Sequence, residues 1–168
     1  MPDGVVIDTN IMSKFNKEGF FNTPGELCKL IDDILNSYHI ALSELLYYEW
    51  KATCNSQPFK YWLDNNMLSQ KIESVNPSID ENIMKKIHNV FGLPRKGKDK
   101  ELIKIANVTL IKYILTEDID LFDPKEKLSS AKRKEEIKSK RIGQLNKYLK
   151  KELNITVGLY SHCRNDLF

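Results

Sequence analysis

Gly4 to Ile7 read Gly-Val-Val-Ile, four apolar residues in a row, and the run stops abruptly at Asp8-Thr9-Asn10. A β-branched run without polar alternation suits a strand buried on both faces. Such a strand needs helices above and below it, and the rest of the chain is patterned to supply them. A loop is expected after Asn10. Thr23-Pro24-Gly25-Glu26 is a capping box with Pro at the first helical position, and Leu27, Leu30, Ile31, Ile34 and Leu35 follow at helical spacing, so a helix is expected from about 24 to 37. Tyr38 to Leu42 predicts a second strand, with Ser43 as N-cap of a helix carrying Leu45, Leu46, Ala52 and Thr53 on one side. Pro58 to Leu68 predicts another helix. Ser78-Ile79-Asp80-Glu81 is a second capping box, leading a helix that Gly92 and Pro94 stop. After the basic loop Arg95-Lys96-Gly97-Lys98, Asp99 begins a helix marked by Leu102, Ile103, Ala106 and Leu110. Ile111 to Leu115 and Ile155 to Tyr160 read as the last strands.

Strands alternating with helices predict a three-layer α/β/α fold around a central parallel sheet of about four or five strands. At 168 residues the chain has the length of a single domain spanning 1–168. No apolar run approaches the roughly 20 residues needed to cross a bilayer, and the first ten residues lack the basic and apolar regions of a signal peptide. Cys28, Cys54 and Cys163 stand in no metal-binding spacing, which excludes a zinc ribbon and a disulfide scaffold. Reduced thiols in a cytoplasmic protein without membrane contact are expected.

Charge is unevenly placed. Between Lys125 and Glu152 there are 11 basic against 4 acidic residues, leaving 15 basic and 19 acidic elsewhere. This segment, at about 125–152, is helical by composition, with Ile137, Ile142, Leu145 and Leu149 as its sparse apolar side. It suits contact with a polyanion, whose condensed counterions Lys and Arg release. It equally suits an ordinary solvated helix face.

In a parallel sheet, sites form beyond the carboxyl ends of the strands. Asp8 and Asp118 both fall just past predicted strands. Asp99 stands one turn before the apolar pair Leu102 and Ile103. Glu49 falls inside the expected apolar stripe of its helix, an expensive place for an unpaired acid. Glu44 is explained as a first-turn residue stabilised by the helix dipole. Each of the four acids has a structural explanation alone, as a cap, a turn or an ion-pair partner. Gathered at one rim they would repel one another and take up protons unless a divalent cation neutralised them. All-oxygen ligation suits Mg²⁺ or Mn²⁺. His39, His88 and His162 are read as ordinary structural residues.

Gly-Val-Val-Ile-Asp-Thr-Asn-Ile-Met at 4–12, the segment 41–50 with Ser43 six residues before Glu49, the segment 98–106 and Ile-Leu-Thr-Glu-Asp-Ile-Asp-Leu-Phe at 114–122 together resemble the four signature segments of the PIN-domain nucleases, small VapC-like ribonucleases among them. The resemblance spans roughly residues 4 to 123. It implies metal-dependent hydrolysis of RNA phosphodiester bonds, with Asp8, Glu49, Asp99 and Asp118 as catalytic and metal-holding acids. Asp8 would be the bridging ligand, and Asp118 or Asp99 would orient water. Thr9, Asn10 and Thr116 match polar positions that buttress the cluster, and Asp120 falls where relatives carry a supporting residue or an idle one. RNA would be drawn in by Lys132, Arg133, Lys134, Lys138, Lys140 and Arg141 on the basic segment, with Arg95, Lys96 and Lys98 flanking the cut. Tyr47, Tyr48 and Trp50 either stack on bases or pack in the core or a dimer interface. Many small relatives are toxins silenced by an antitoxin, and many are homodimers; both are expectations by analogy. The alternatives are a PIN-like nuclease acting on DNA or structured nucleic acid, and a non-catalytic RNA-binding module. The long basic insertion after Asp123 and the stretch from Pro58 to Pro77 depart from the family pattern.

Overall fold

The computed structural model describes residues 3–18 and 25–168. Five strands form one sheet: β1 (Gly4–Ile7), β2 (His39–Leu42), β3 (Ile72–Ser74), β4 (Tyr113–Leu115) and β5 (Thr156–Gly158). All pairings are parallel, in the order β3-β2-β1-β4-β5. Helices flank this sheet: α1 (Thr9–Glu18), α2 (Glu26–Ser37), α3 (Glu44–Thr53), α4 (Gln57–Leu68), α5 (Glu81–Asn89), α6 (Asp99–Asn107), α7 (Ala131–Lys140), α8 (Gln144–Leu153) and α9 (Tyr160–Leu167). The α/β/α layering expected from the alternation is therefore present. No helix among the described residues is long and apolar enough to cross a membrane.

β1 is central, and all four of its residues are buried. Val6 and Ile7 register against Ile114 and Leu115 of β4, while Gly4 and Val5 register against His39 and Ile40 of β2. The order of strands reverses direction at β1, so the crevice where α/β sheets hold their ligands lies past Ile7, Leu42 and Leu115. α6 packs across β1, β2 and β4 and brings its N-terminus to that rim.

Several boundaries differ from expectation. Asp8-Thr9-Asn10 opens α1 rather than a loop: the Asp8 carbonyl accepts from Ile11 N at 3.0 Å and Met12 N at 3.2 Å, and Ile11, Met12 and Phe15 are buried. The capping box at 23–26 falls partly outside the described residues, since Thr23 and Pro24 are not among them. α2 begins at Glu26, and its first amides are capped from a distance, Leu27 N and Cys28 N donating to Glu18 Oε1 at 2.9 and 3.3 Å. Asp80, not Ser78, caps α5, its carboxylate accepting from Asn82 N and Ile83 N. α6 stops at Asn107, where the Thr109 hydroxyl donates to Ala106 O and accepts from Lys112 N, leaving Leu110 exposed.

Ile72–Ser74 is a short edge strand with only Ile72 buried, too brief to show a period. The strand drawn through Tyr160 ends at Gly158, and Tyr160 starts α9. The basic segment is two helices, parted at Arg141, whose φ of 52° is left-handed.

The core wraps both faces of the sheet. Trp50, on the inner side of α3, is fully buried and meets Phe59 edge-on at 6.4 Å. Trp50 therefore belongs to the core and is out of reach of any base, whereas Tyr48 on the same helix is exposed. Trp50→Ala is expected to cost about 3–5 kcal/mol of stability, measured by urea unfolding, because it removes the anchor of the helix that carries Glu49.

Candidate metal centre

Asp8 is the residue after β1, and none of its surface is exposed. Its amide donates to Leu115 O at 2.9 Å, which locks it against β4. Its Oδ2 accepts from the Thr116 hydroxyl at 2.7 Å, and the same Thr116 oxygen accepts from Asp118 N at 3.0 Å. Thr116 thus holds two of the acids at once. Asp118 caps a 3-10 turn at Ile119–Leu121, its Oδ1 accepting from Asp120 N at 3.0 Å. Asp99 is the first residue of α6. Asp8, Asp99 and Asp118 each offer a carboxylate oxygen, and these three atoms lie within 4.8 Å of one another.

Glu49 is adjacent but outside that triad. One of its oxygens accepts from the Thr9 hydroxyl at 2.9 Å, and the other lies 3.3 Å from the Lys98 ammonium. Lys98 also reaches Asp8 Oδ1, at 3.4 Å. The stripe expected on α3 is corrected here: Leu46 and Trp50 face the core, while Leu45, Ala52 and Thr53 are exposed. The inward side of the helix follows the four-residue step from Leu46 to Trp50. Glu49 stands at the edge of that side, about a third exposed, rather than within an apolar stripe.

The electrostatics follow from this crowding. Burial pushes the Asp99 carboxyl up from 3.8 to about 7, and Asp118, Asp8 and Asp120 add to the rise against the opposing Lys98. Burial also raises Asp8, opposed by its Thr116 hydrogen bond and by Lys98. Asp120 is raised by burial and by Asp118, with Lys127 opposing at 3.6 Å. The buried oxygens Asp99 Oδ1, Asp120 Oδ1 and Asn10 Oδ1 accept no hydrogen bond, and Asp8 Oδ1 meets only the Lys98 ammonium. Unpaired buried acceptors are costly, and three hard carboxylates converging with spare oxygens are the donor set that Mg²⁺ or Mn²⁺ takes. The residues present fit such an ion.

The other expected site residues are placed as follows. Thr9 and Thr116 hydrogen-bond the acids directly. Asp120 is buried beside Asp118. Lys98 is engaged inside the site, while Arg95 donates to Asn89 Oδ1 at 2.6 Å and Lys96 is exposed. On the basic segment, Lys138 donates to Glu117 O at 3.1 Å, so α7 sits at the rim. Arg141 makes a two-pronged pair with Asp166, and Arg133 and Lys140 share Glu136. Lys132 is exposed, and the half-buried Lys134 donates to Lys127 O at 3.4 Å. His88 and His162 bond backbone carbonyls and are absent from the cluster.

Sequence reasoning missed two features. Glu101 is buried beside Glu49 and Lys98 along an opening of about 330 Å³ that Leu45, Leu46, Gly97 and Lys100 complete. Lys85, Arg95, Lys100 and Lys104 line a second opening of about 550 Å³ between α5 and α6. Among the described residues Lys85, Lys100 and Lys104 have no ion-pair partner. Their cue was an i, i+4 pair of lysines on α6 that the basic segment overshadowed.

Comparison with known proteins gives no match: no family model, no curated protein and no solved structure is significantly similar to this chain.

A carboxyl held at about 7 in the folded state and near 3.9 when unfolded contributes stability below pH 4, and that contribution is lost as pH rises toward 7. In chelator, Asp99→Asn should therefore match the native protein near pH 4 and become progressively more stable than it up to pH 7. Thermal unfolding across that range checks this, and parallel curves would refute it.

Proposed function

We propose that this chain is a metal-dependent nuclease of the PIN type that hydrolyses RNA phosphodiester bonds. The observation that carries the reading is the convergence of Asp8, Asp99 and Asp118 to within 4.8 Å at the carboxyl ends of β1 and β4. Three acids from separate parts of the sequence have no structural need to share one pocket, and their mutual repulsion works against the fold. Glu49, tied to the same pocket through Thr9 and Lys98, completes the set of acids that the sequence resemblance names.

Asp8, Asp99 and Asp118 would hold Mg²⁺ or Mn²⁺. Such an ion, when bound, supplies charge neutralisation at a phosphodiester and lowers the pKa of water. The chain's own residues do the rest. Thr116 fixes the Asp8 carboxylate through Oδ2, leaving Oδ1 turned toward Lys98 and the pocket. Asp99 keeps an unpaired buried oxygen beside the other two acids, from which it would orient water. The carboxylates exclude a bare polyanion from the centre, so the backbone has to be held by cations beside it.

The α5–α6 opening supplies those cations. Lys100 borders both that opening and the smaller one beside Glu49, so the two meet at the residue after Asp99. The smaller opening, with exposed Leu45 at its edge, suits an unpaired base. The exposed Leu45 and Tyr48 also give an inhibitor protein an apolar foothold next to the acids, in keeping with a toxin silenced by a partner.

Asp8→Asn should abolish cleavage of RNA in Mg²⁺ or Mn²⁺ while the protein stays folded. The check is a cleavage assay on total RNA and on sequence-matched DNA, with each metal and with chelator. Equal cleavage by native and variant proteins would refute the assignment, and preferential cleavage of DNA would move the substrate class. Replacing Lys85, Lys100 and Lys104 by Gln in an Asp8→Asn background should flatten the salt dependence of RNA binding, by roughly 0.7 in log–log slope for each phosphate that is no longer neutralised. Neutralising Lys132, Arg133 and Lys134 should flatten it less.

A further inference from the structure

Lys98 occupies an unusual place for a surface-type cation. Its ammonium lies 3.4 Å from Asp8 Oδ1 and 3.3 Å from Glu49 Oε1, nearly midway between the two acids, with only a third of the side chain exposed. The remaining oxygens of those acids are taken, Asp8 Oδ2 by Thr116 and Glu49 Oε2 by Thr9. Its backbone is held as firmly as its head. Lys98 is the N-cap of α6, immediately before Asp99, and it follows Gly97, whose φ of 110° is a conformation that a side chain disfavours. The turn that places Asp99 in the triad therefore also delivers Lys98 to Asp8 Oδ1 and Glu49 Oε1.

Nucleases that use two divalent ions place them about 3.5–4 Å apart with a carboxylate shared between them. In this chain the first ion has Asp8, Asp99 and Asp118. A second would have to lie between Asp8 and Glu49, on the oxygens that Lys98 already neutralises. An ammonium and a divalent ion cannot both sit within contact of the same two oxygens.

We propose that Lys98 is the built-in second cation of this centre, so that the chain holds a single divalent ion and Glu49 serves as the anchor of Lys98 rather than as a metal ligand. This rests on the metal-dependent reading above, and it assigns Glu49 a positioning role.

The test is Mn²⁺ binding to the full chain, followed by electron paramagnetic resonance and calorimetry, without any assay of cleavage. The native protein should bind one Mn²⁺. Lys98→Met, which keeps the stem and removes the charge, should bind a second, and Lys98→Arg should return to one. Adding Glu49→Gln to Lys98→Met should remove the second ion but not the first. In chelator Lys98→Met should unfold at lower temperature than the native protein, and Mn²⁺ should restore it more than it raises the native protein. A variant that is unfolded in chelator should fold on addition of Mn²⁺, and failure to do so overturns the proposal. Two ions on the native chain, or one on Lys98→Met, overturn it as well. If neither protein binds Mn²⁺, the metal-dependent reading falls with it. An ion bound by Lys98→Met and none by the native chain overturns both the single-ion proposal and the metal-dependent reading of the native chain.

Discussion

The Asp8 carboxylate sits at the end of the central strand with no exposed surface, a threonine hydroxyl on one oxygen and an ammonium facing the other. Burying a carboxylate is unfavourable by itself, and placing two more acids beside it compounds the problem. Two like charges 4.8 Å apart repel by about 3 kcal/mol at an effective dielectric near 20. The site answers by giving up charge. Asp99, squeezed by burial and then by its neighbours, takes its proton near neutrality. Helix geometry answers the rest: Asp8 immediately precedes α1, Asp99 opens α6 and Asp118 caps a 3-10 turn, so each acid meets unpaired amides or a positive helix end.

Glu49 solves the same problem differently. It lies in the middle of α3, where no helix end can help it, and it depends on Thr9 and Lys98. The pocket thus divides into a triad whose acids stand at helix or turn starts and a mid-helix Glu49 held by side chains alone, with Lys98 shared between Asp8 and Glu49. This division follows from secondary structure: residues leaving strands can land on helix N-termini, whereas a residue in mid-helix cannot.

Much of this was visible in the residue order. The unbroken apolar run at 4–7 implied a central strand, and acids one and three residues past strand ends implied a rim. What escaped has identifiable causes. Asp8-Thr9-Asn10 has the composition of a turn, yet the Asp8 carbonyl starts a helix, so the same three polar residues suit either state until Ile11, Met12 and Phe15 find a core. The stripe through Leu45 and Ala52 is as good a helical pattern as the one through Leu46 and Trp50, and only tertiary packing chooses between them. Lys98 read as one of a run of solvated loop cations, because charge density along the chain carries no information about which member a positive-φ glycine will turn inward. The resemblance in four short segments likewise pointed to four acids sharing one metal site, and the three-dimensional arrangement sets Glu49 apart from the other three.

The basic segment shows why a count of charges predicts a binding face poorly. Its excess is real, but Arg141 is spent on Asp166, Arg133 and Lys140 share Glu136, and Lys138 and Lys127 reach Glu117 O and Asp120. Of these, the Lys138 bond docks α7 against the loop that carries Asp118, and Lys127 offsets Asp120 beside the triad. Exposed pairs contribute little stability each, yet they remove the local field that a counterion-bearing polymer responds to. The lysines on α5 and α6 are fewer and face one another across an opening without acidic partners beyond Glu81. A polyanion approaching a negative centre is steered by the cations left uncompensated near it, and Lys100 and Lys104 are among these, on the helix that opens at Asp99.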